Sequence, residues 1–155
     1  SFRQPLKEFC HQALGDLGHE DQHEVVLDIE GLMDTFLQSS SYREIQNATV
    51  IGREVPFVMP WSHEKSQVST DFPSVMEGVM DVVYDVAGDV WVADYKTDTV
   101  TATTVVEHAD LYRQQAQVYA IAASKSLGLN VKGCKLLFLR IGEVVTITQD
   151  VAKVS

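Results

Sequence analysis

The amino-acid sequence predicts an α/β domain built on a central mixed sheet: a three-strand meander, a crossover helix and two further strands, flanked by helices. Two changes of period predict it. Apolar residues recur three and four apart up to about residue 46, alternate singly from Thr49, and return to helical spacing over Val105 to Leu127 before a last pair of strands. A long helix between the third and fourth strands is also the connection that lets those two pair in parallel. With 155 residues, 17.2 kDa and 45% hydrophobic residues, the chain is long enough for one domain with its own core.

The first helix is expected over residues 5–15, from Leu6, Phe9, Cys10, Ala13 and Leu14, and is ended by Gly15 and Gly18. The second covers 24–38, where Val25, Val26, Ile29, Leu32, Met33, Phe36 and Leu37 form a stripe that the Ser39-Ser40-Ser41 cluster stops. Tyr42 to Gln46 adds a turn. From Thr49, Val50, Gly52, Glu54 and Pro56 point one way and Ile51, Arg53, Val55 and Phe57 the other. Pro60 and the polar stretch Ser62 to Thr70 read as a hairpin loop. Val75 to Val86 and Val90 to Lys96 follow as strands, joined by Ala87-Gly88-Asp89, a turn tight enough to force them antiparallel. After a threonine-rich linker, Thr103 or Thr104 caps the crossover helix and Gly128 ends it. Gly133 to Arg140 and Glu143 to Thr148 close the sheet, joined at Ile141-Gly142.

Composition excludes several classes. Net charge is −10, with −6 in residues 1–50, −6 in 51–100 and +2 in 101–155. Proteins that grip duplex DNA by its phosphates usually carry the opposite sign, which argues against tight autonomous binding but not against a strand delivered by a larger machine. Cys10 and Cys134 cannot build a four-thiolate zinc or iron–sulfur site or a disulfide scaffold; they read as reduced thiols, with Cys134 in the core. No apolar run is long enough to span a membrane, and no secretory signal opens the chain. The lack of an initiator Met at Ser1 suggests a fragment of something longer.

The chemistry concentrates in the meander. Asp81 interrupts an apolar strand, Asp94 and Lys96 close the next, and Glu54 sits within the first. A carboxylate within a β-core costs several kcal/mol unless paired or metal-bound. With the turn centred near Gly88, Asp81 and Asp94 face each other across neighbouring strands, and two like charges that close repel unless a cation lies between them. Lys96 projects from the face of Asp94. The arrangement suits phosphodiester cleavage: two carboxylates for Mg²⁺ or Mn²⁺ and an ammonium group for the phosphate. The plainer reading is a buried structural ion triad.

Four segments, in order, then carry a resemblance: Arg53-Glu54-Val55-Pro56-Phe57, Glu77-Gly78-Val79-Met80-Asp81, Ala93-Asp94-Tyr95-Lys96-Thr97-Asp98, and Tyr112-x-x-Gln115-x-x-x-Tyr119. Together they resemble the RecB-like branch of the PD-(D/E)xK nucleases, and within it the C-terminal nuclease domain of AddA/RecB-type helicase–nucleases. The resemblance implies a restriction-endonuclease-like core and a single nuclease domain over 1–155, with helices in 1–46 and the catalytic core in 49–149. It implies Asp81, Asp94, Lys96 and Glu54 as catalytic residues. Metal ligands would be Asp81, Asp94 and the Tyr95 carbonyl, with His11 the best-placed candidate for the family's N-terminal histidine. Gln115 and Tyr119 would orient the site or contact DNA. It implies Mg²⁺ or Mn²⁺ with no iron–sulfur cluster, a DNA partner, single-stranded, and helicase domains of the same polypeptide or complex. It also implies recombinational repair in the bacterial cytosol, away from membranes. A nuclease-like binding or scaffolding module without catalysis is the alternative.

Other residues read more plainly. His63 and His108 are expected to face solvent, and Trp91 to pack while Trp61 remains a candidate for base stacking. Lys125, Lys132, Lys135 and Arg140 form a basic rim open to phosphate.

Overall fold

The computed structural model describes residues 2–16, 18–61 and 74–149. Three helices come first: α1 (Arg3–Ala13), α2 (His19–Gln38) and α3 (Ser40–Asn47). The second starts well before its apolar stripe, because Glu20 and Asp21 in its first turn favour a helix N-terminus. Ser39 separates α2 from α3; its hydroxyl accepts from the Tyr42 amide at 3.1 Å and donates to the Phe36 carbonyl at 2.7 Å. α1 departs from its amphipathic pattern: it buries Cys10 alone and leaves Phe9 exposed. Arg3 ties it to α2 instead, through Glu30 at 2.8 Å and Asp34 at 2.6 Å.

The sheet runs β1 (Thr49–Trp61), β2 (Ser74–Val86), β3 (Asp89–Lys96), β4 (Val131–Phe138) and β5 (Glu143–Thr148), in that spatial order. All neighbours are antiparallel except β3 and β4. The meander and the parallel pair are therefore as expected. Pro60 is not in a loop but in β1, opposite Val75, and the hairpin is longer on both arms. Prolines 56 and 60 are tolerated because β1 is the edge strand. The expected loop at 62–70, with His63, lies outside the described residues, as does the side chain of Trp61. The β2–β3 turn has Ala87 at φ 54 and Gly88 at φ 92, the left-handed pair that two-residue hairpins need.

The alternation expected through β1 breaks. Glu54 has φ 50, and a Cβ built on Gly52 would meet the Val55 side chain at 2.6 Å, so residues 52 and 55 share a face. β2 flips at the same level. Met76 and Met80 pack with Val83 on one side of the sheet, and Val82 and Tyr84 on the other. The two strands thus turn over together where Glu54 stands opposite Asp81.

The crossover is not one helix. α4 (Val105–Ala109), a 3₁₀ turn (Asp110–Tyr112) and α5 (Arg113–Leu127) follow one another. Thr104 supplies no cap to α4; its hydroxyl accepts from the Thr101 amide. Gly128 closes α5 at φ 65, as expected. Against α5, Phe57, Met80, Val92, Cys134, Leu136 and Phe138 form the main core; a smaller one under α3 holds Ile45, Val82, Tyr84, Ala93 and Leu137. Both cysteines are free and buried. β4 ends two residues early, since the Ile141 and Gly142 amides fold back onto the Phe138 carbonyl. Among the described residues no helix is long and apolar enough to cross a membrane.

Candidate active site

The parallel pairing of β3 with β4 brings the C-terminal end of β3 next to the crossover, and there the side chains converge. The β2–β3 ladder ends at Val82 opposite Ala93, one step before Asp81 and Asp94. Beyond it Asp81 replaces the ladder: its Oδ2 accepts the Tyr95 amide at 2.7 Å. Asp94 is 5% exposed, and Lys96 Nζ lies 2.5 Å from its Oδ2. That contact is an ion pair without hydrogen-bond alignment, because the same oxygen is buried with no hydrogen-bond partner among the described residues. The orphaned oxygen carries most of the chemical information here, since buried carboxylate oxygens are ordinarily satisfied.

Lys96 is held on two further sides. Its ammonium donates to Gln115 Oε1 at 3.0 Å, and Gln115 Nε2 donates to the Tyr119 hydroxyl at 3.0 Å. The i, i+4 spacing on α5 makes that second bond possible. Tyr119 in turn stands edge-on to Phe57, ring centres 5.7 Å apart. Below the ammonium lies the ring of Tyr112, 3.9 Å from Nζ to the centroid. The Tyr112 hydroxyl donates to Asp98 Oδ1 at 2.6 Å, and His108 Nε2 sits 2.9 Å from the same oxygen. His108 thus belongs to the support of the site, not to solvent. The 3₁₀ turn aims Tyr112 back at the sheet, which a continuous helical period did not reveal.

The electrostatics follow from burial. Desolvation pushes the Asp94 carboxyl above its usual range; Lys96 pulls it back, and Asp81 and Asp98 push it further up. Asp98 also feels burial, yet the bonds from Tyr112 and His108 hold it low. The Tyr112 hydroxyl is pushed up to about 12, first by its bond to Asp98.

The other sequence candidates are placed as follows. Glu54 stands opposite Asp81 but is exposed, and makes no hydrogen bond or ion pair among the described residues. Its left-handed backbone turns it out of the strand's regular alternation. Tyr95 brings its peptide group to Asp81 while its ring packs on the opposite face against Phe36. His11 lies between α1 and α2, in a cleft of about 330 Å³ shared with Lys7, His19 and His23, with Nδ1 3.2 Å from Gln22. The structure does not bring it to Asp81 or Asp94. Trp91 is half-buried, with the Lys135 ammonium 4.5 Å from its ring centre. Three of the rim cations are already paired: Lys132 with Asp89, Lys135 with Glu44 and Arg140 with Asp28.

Among the described residues no three His, Cys, Asp or Glu side chains converge on one metal-sized point. The donor set is narrower: two carboxylates, one with an unsatisfied buried oxygen. Such hard oxygen donors fit Mg²⁺ or Mn²⁺, ions that keep several waters of their own.

Comparison with known proteins agrees with this geometry. The family described as the PD-(D/E)XK nuclease superfamily matches residues 8–154. An ATP-dependent helicase/nuclease protein of Staphylococcus carnosus is 32% identical over 115 residues, 69% of this chain and 9% of that protein. The protein of the same name from Bacillus velezensis is 28% identical over 140 residues, 83% of this chain and 11% of that protein. The chain therefore spans about a tenth of the length of these relatives.

Proposed function

Since the chain belongs to the PD-(D/E)XK nuclease superfamily, we propose that it is a metal-dependent deoxyribonuclease domain that hydrolyses phosphodiester bonds in single-stranded DNA. Its relatives' name points to the setting: an exonuclease unit of a helicase–nuclease, fed by helicase domains of the same polypeptide or complex during recombinational repair. Residues 49–149 are its catalytic core. The observation that carries the reading is the buried Asp94 oxygen, unsatisfied except by an ill-aligned Lys96.

Asp81 and Asp94 would hold the divalent ion, with the Tyr95 carbonyl as a further oxygen donor. When bound, the ion supplies Lewis-acid chemistry, acidifying water and offsetting charge on the phosphate. The chain's own part is positioning. Asp81, fixed by the Tyr95 amide, keeps its second oxygen free. Lys96 meets the negative charge that grows on phosphoryl oxygens as water adds to phosphorus and the P–O bond to one sugar oxygen breaks. Gln115 and Tyr119 limit where that ammonium group can go, and Glu54 supports the carboxylates from β1. An acidic module of this kind binds DNA weakly alone, which fits a strand supplied by a motor.

The test is cutting of a labelled single-stranded oligonucleotide by the purified protein. Cleavage is expected with Mn²⁺ or Mg²⁺, none with EDTA, and recovery on adding back the ion. Intact substrate under every divalent condition would falsify the proposal. A second expectation follows from the ring under Lys96. Tyr112→Leu should lower the rate at saturating DNA about tenfold by removing the cation–π contact. Tyr112→Phe, which keeps the ring and loses only the tie to Asp98, should lose less. Equal rates for both variants would show that the ring does not position Lys96.

A further inference from the structure

A cleft of about 440 Å³ opens beside this site, between the β1–β2 hairpin and the crossover. Gln115 and Tyr119 form one wall of it. These are the amide and phenol that reach Lys96 through successive 3.0 Å bonds, so the cleft begins two hydrogen bonds from the ammonium group. Its remaining lining is apolar or neutral, including Phe57, Leu111, Val118 and the Gln114 amide, and Glu77 is its one charged side chain among the described residues. Gly78 keeps the cleft open. A Cβ there would lie 2.8 and 2.9 Å from atoms of the Phe57 ring, driving it from its place beside Tyr119.

The lining states what fits. A space with one carboxylate and no cation repels phosphate. It accepts an uncharged planar group with apolar faces and a hydrogen-bonding edge, which Leu111, Val118 and the aromatic rims can cover and the Gln114 amide can meet. The volume lies in the ~300–1,000 Å³ range of small-ligand sites. Leu111 is 73% exposed, placed at the mouth with no core contact to account for it. We propose that this cleft holds a nucleobase of the strand being cut, next to the phosphate engaged by Lys96, and that Leu111 and Gln114 are its binding residues. The inference rests on the nuclease reading for the identity of the strand, and on the cleft for the base.

Two labelled oligonucleotides with equal numbers of phosphates test it, one of ordinary deoxynucleotides and one wholly abasic. Their affinities are compared by fluorescence anisotropy in EDTA, where nothing is cut. The wild-type protein should prefer the ordinary strand about tenfold, the worth of one stacked base. Leu111→Ala with Gln114→Ala, both exposed positions, should bring the ratio close to one, while Val106→Ala, exposed and outside the cleft, should leave it unchanged. Equal affinities in the wild type would overturn the proposal, as would a preference undiminished in the double variant. Cleavage in Mn²⁺, measured in parallel, separates the two readings. Base preference without cutting removes the nuclease and keeps the base site; cutting without base preference does the reverse.

Discussion

Lys96→Ala should reduce single-strand cutting by about 10²–10³-fold, the loss expected when one preorganised charge is withdrawn from a site of developing negative charge. Asp94→Ala should do at least as much, because it removes both a metal donor and the partner that draws Lys96 down. The alanine at 96 also strands a carboxylate that is 5% exposed, so some thermal stability should go with it. Lys96→Arg distinguishes the two effects. It keeps a cation beside Asp94 and should preserve most of the melting temperature. A planar guanidinium cannot take the point position between Asp94, Gln115 and the Tyr112 ring, so at least tenfold of the rate should still be lost. Initial rates and thermal melts on the same preparations check both. Wild-type cutting by Lys96→Ala or Asp94→Ala would show that these residues are not the catalytic ones.

Gly133→Ala should destabilise the domain by about 3 kcal/mol, seen as a fall of ~6–12 °C in melting temperature. Gly133 pairs with Thr148 on β5, and a Cβ there would sit 2.2 Å from the Ile147 carbonyl oxygen and 2.8 Å from the Thr148 Cα. Those are main-chain atoms of a paired strand, so neither can rotate away. Relief requires β5 to move off β4. Gly31→Ala supplies the contrast. It lies within α2 with nothing inside 4 Å of the added carbon, and should gain about 0.5–1 kcal/mol from helix propensity. Urea unfolding of the two variants gives both signs. A neutral Gly133→Ala would mean that the β4–β5 contact is looser than the register implies.

Much of the sheet was legible because its signals are local. The Ala87-Gly88 turn, the two-residue period around it and Gly128 at the end of α5 each depend on a few neighbouring residues, and each is found where expected. Parallel pairing of β3 with β4 followed from the length of the crossover. The Asp94–Lys96 contact was legible for the same reason, as two residues of one strand share a face. Local signals misled where a stripe had no partner: Phe9 continues the α1 pattern yet lies in solvent, since ion pairs with α2 orient that helix.

By itself the sequence determined the order of the elements, the sense of their pairing and the family, because periodicity, turn chemistry and motif spacing survive without coordinates. Tertiary structure alone decided which groups meet from separate elements. It folded both strands of the hairpin over at Glu54 and Asp81, brought Tyr112, Asp98 and His108 beneath Lys96, and kept His11 among the helices. The reason is physical: a side chain's face is encoded within its own strand or helix, but its partner depends on how two elements pack, and packing is set by the whole core at once.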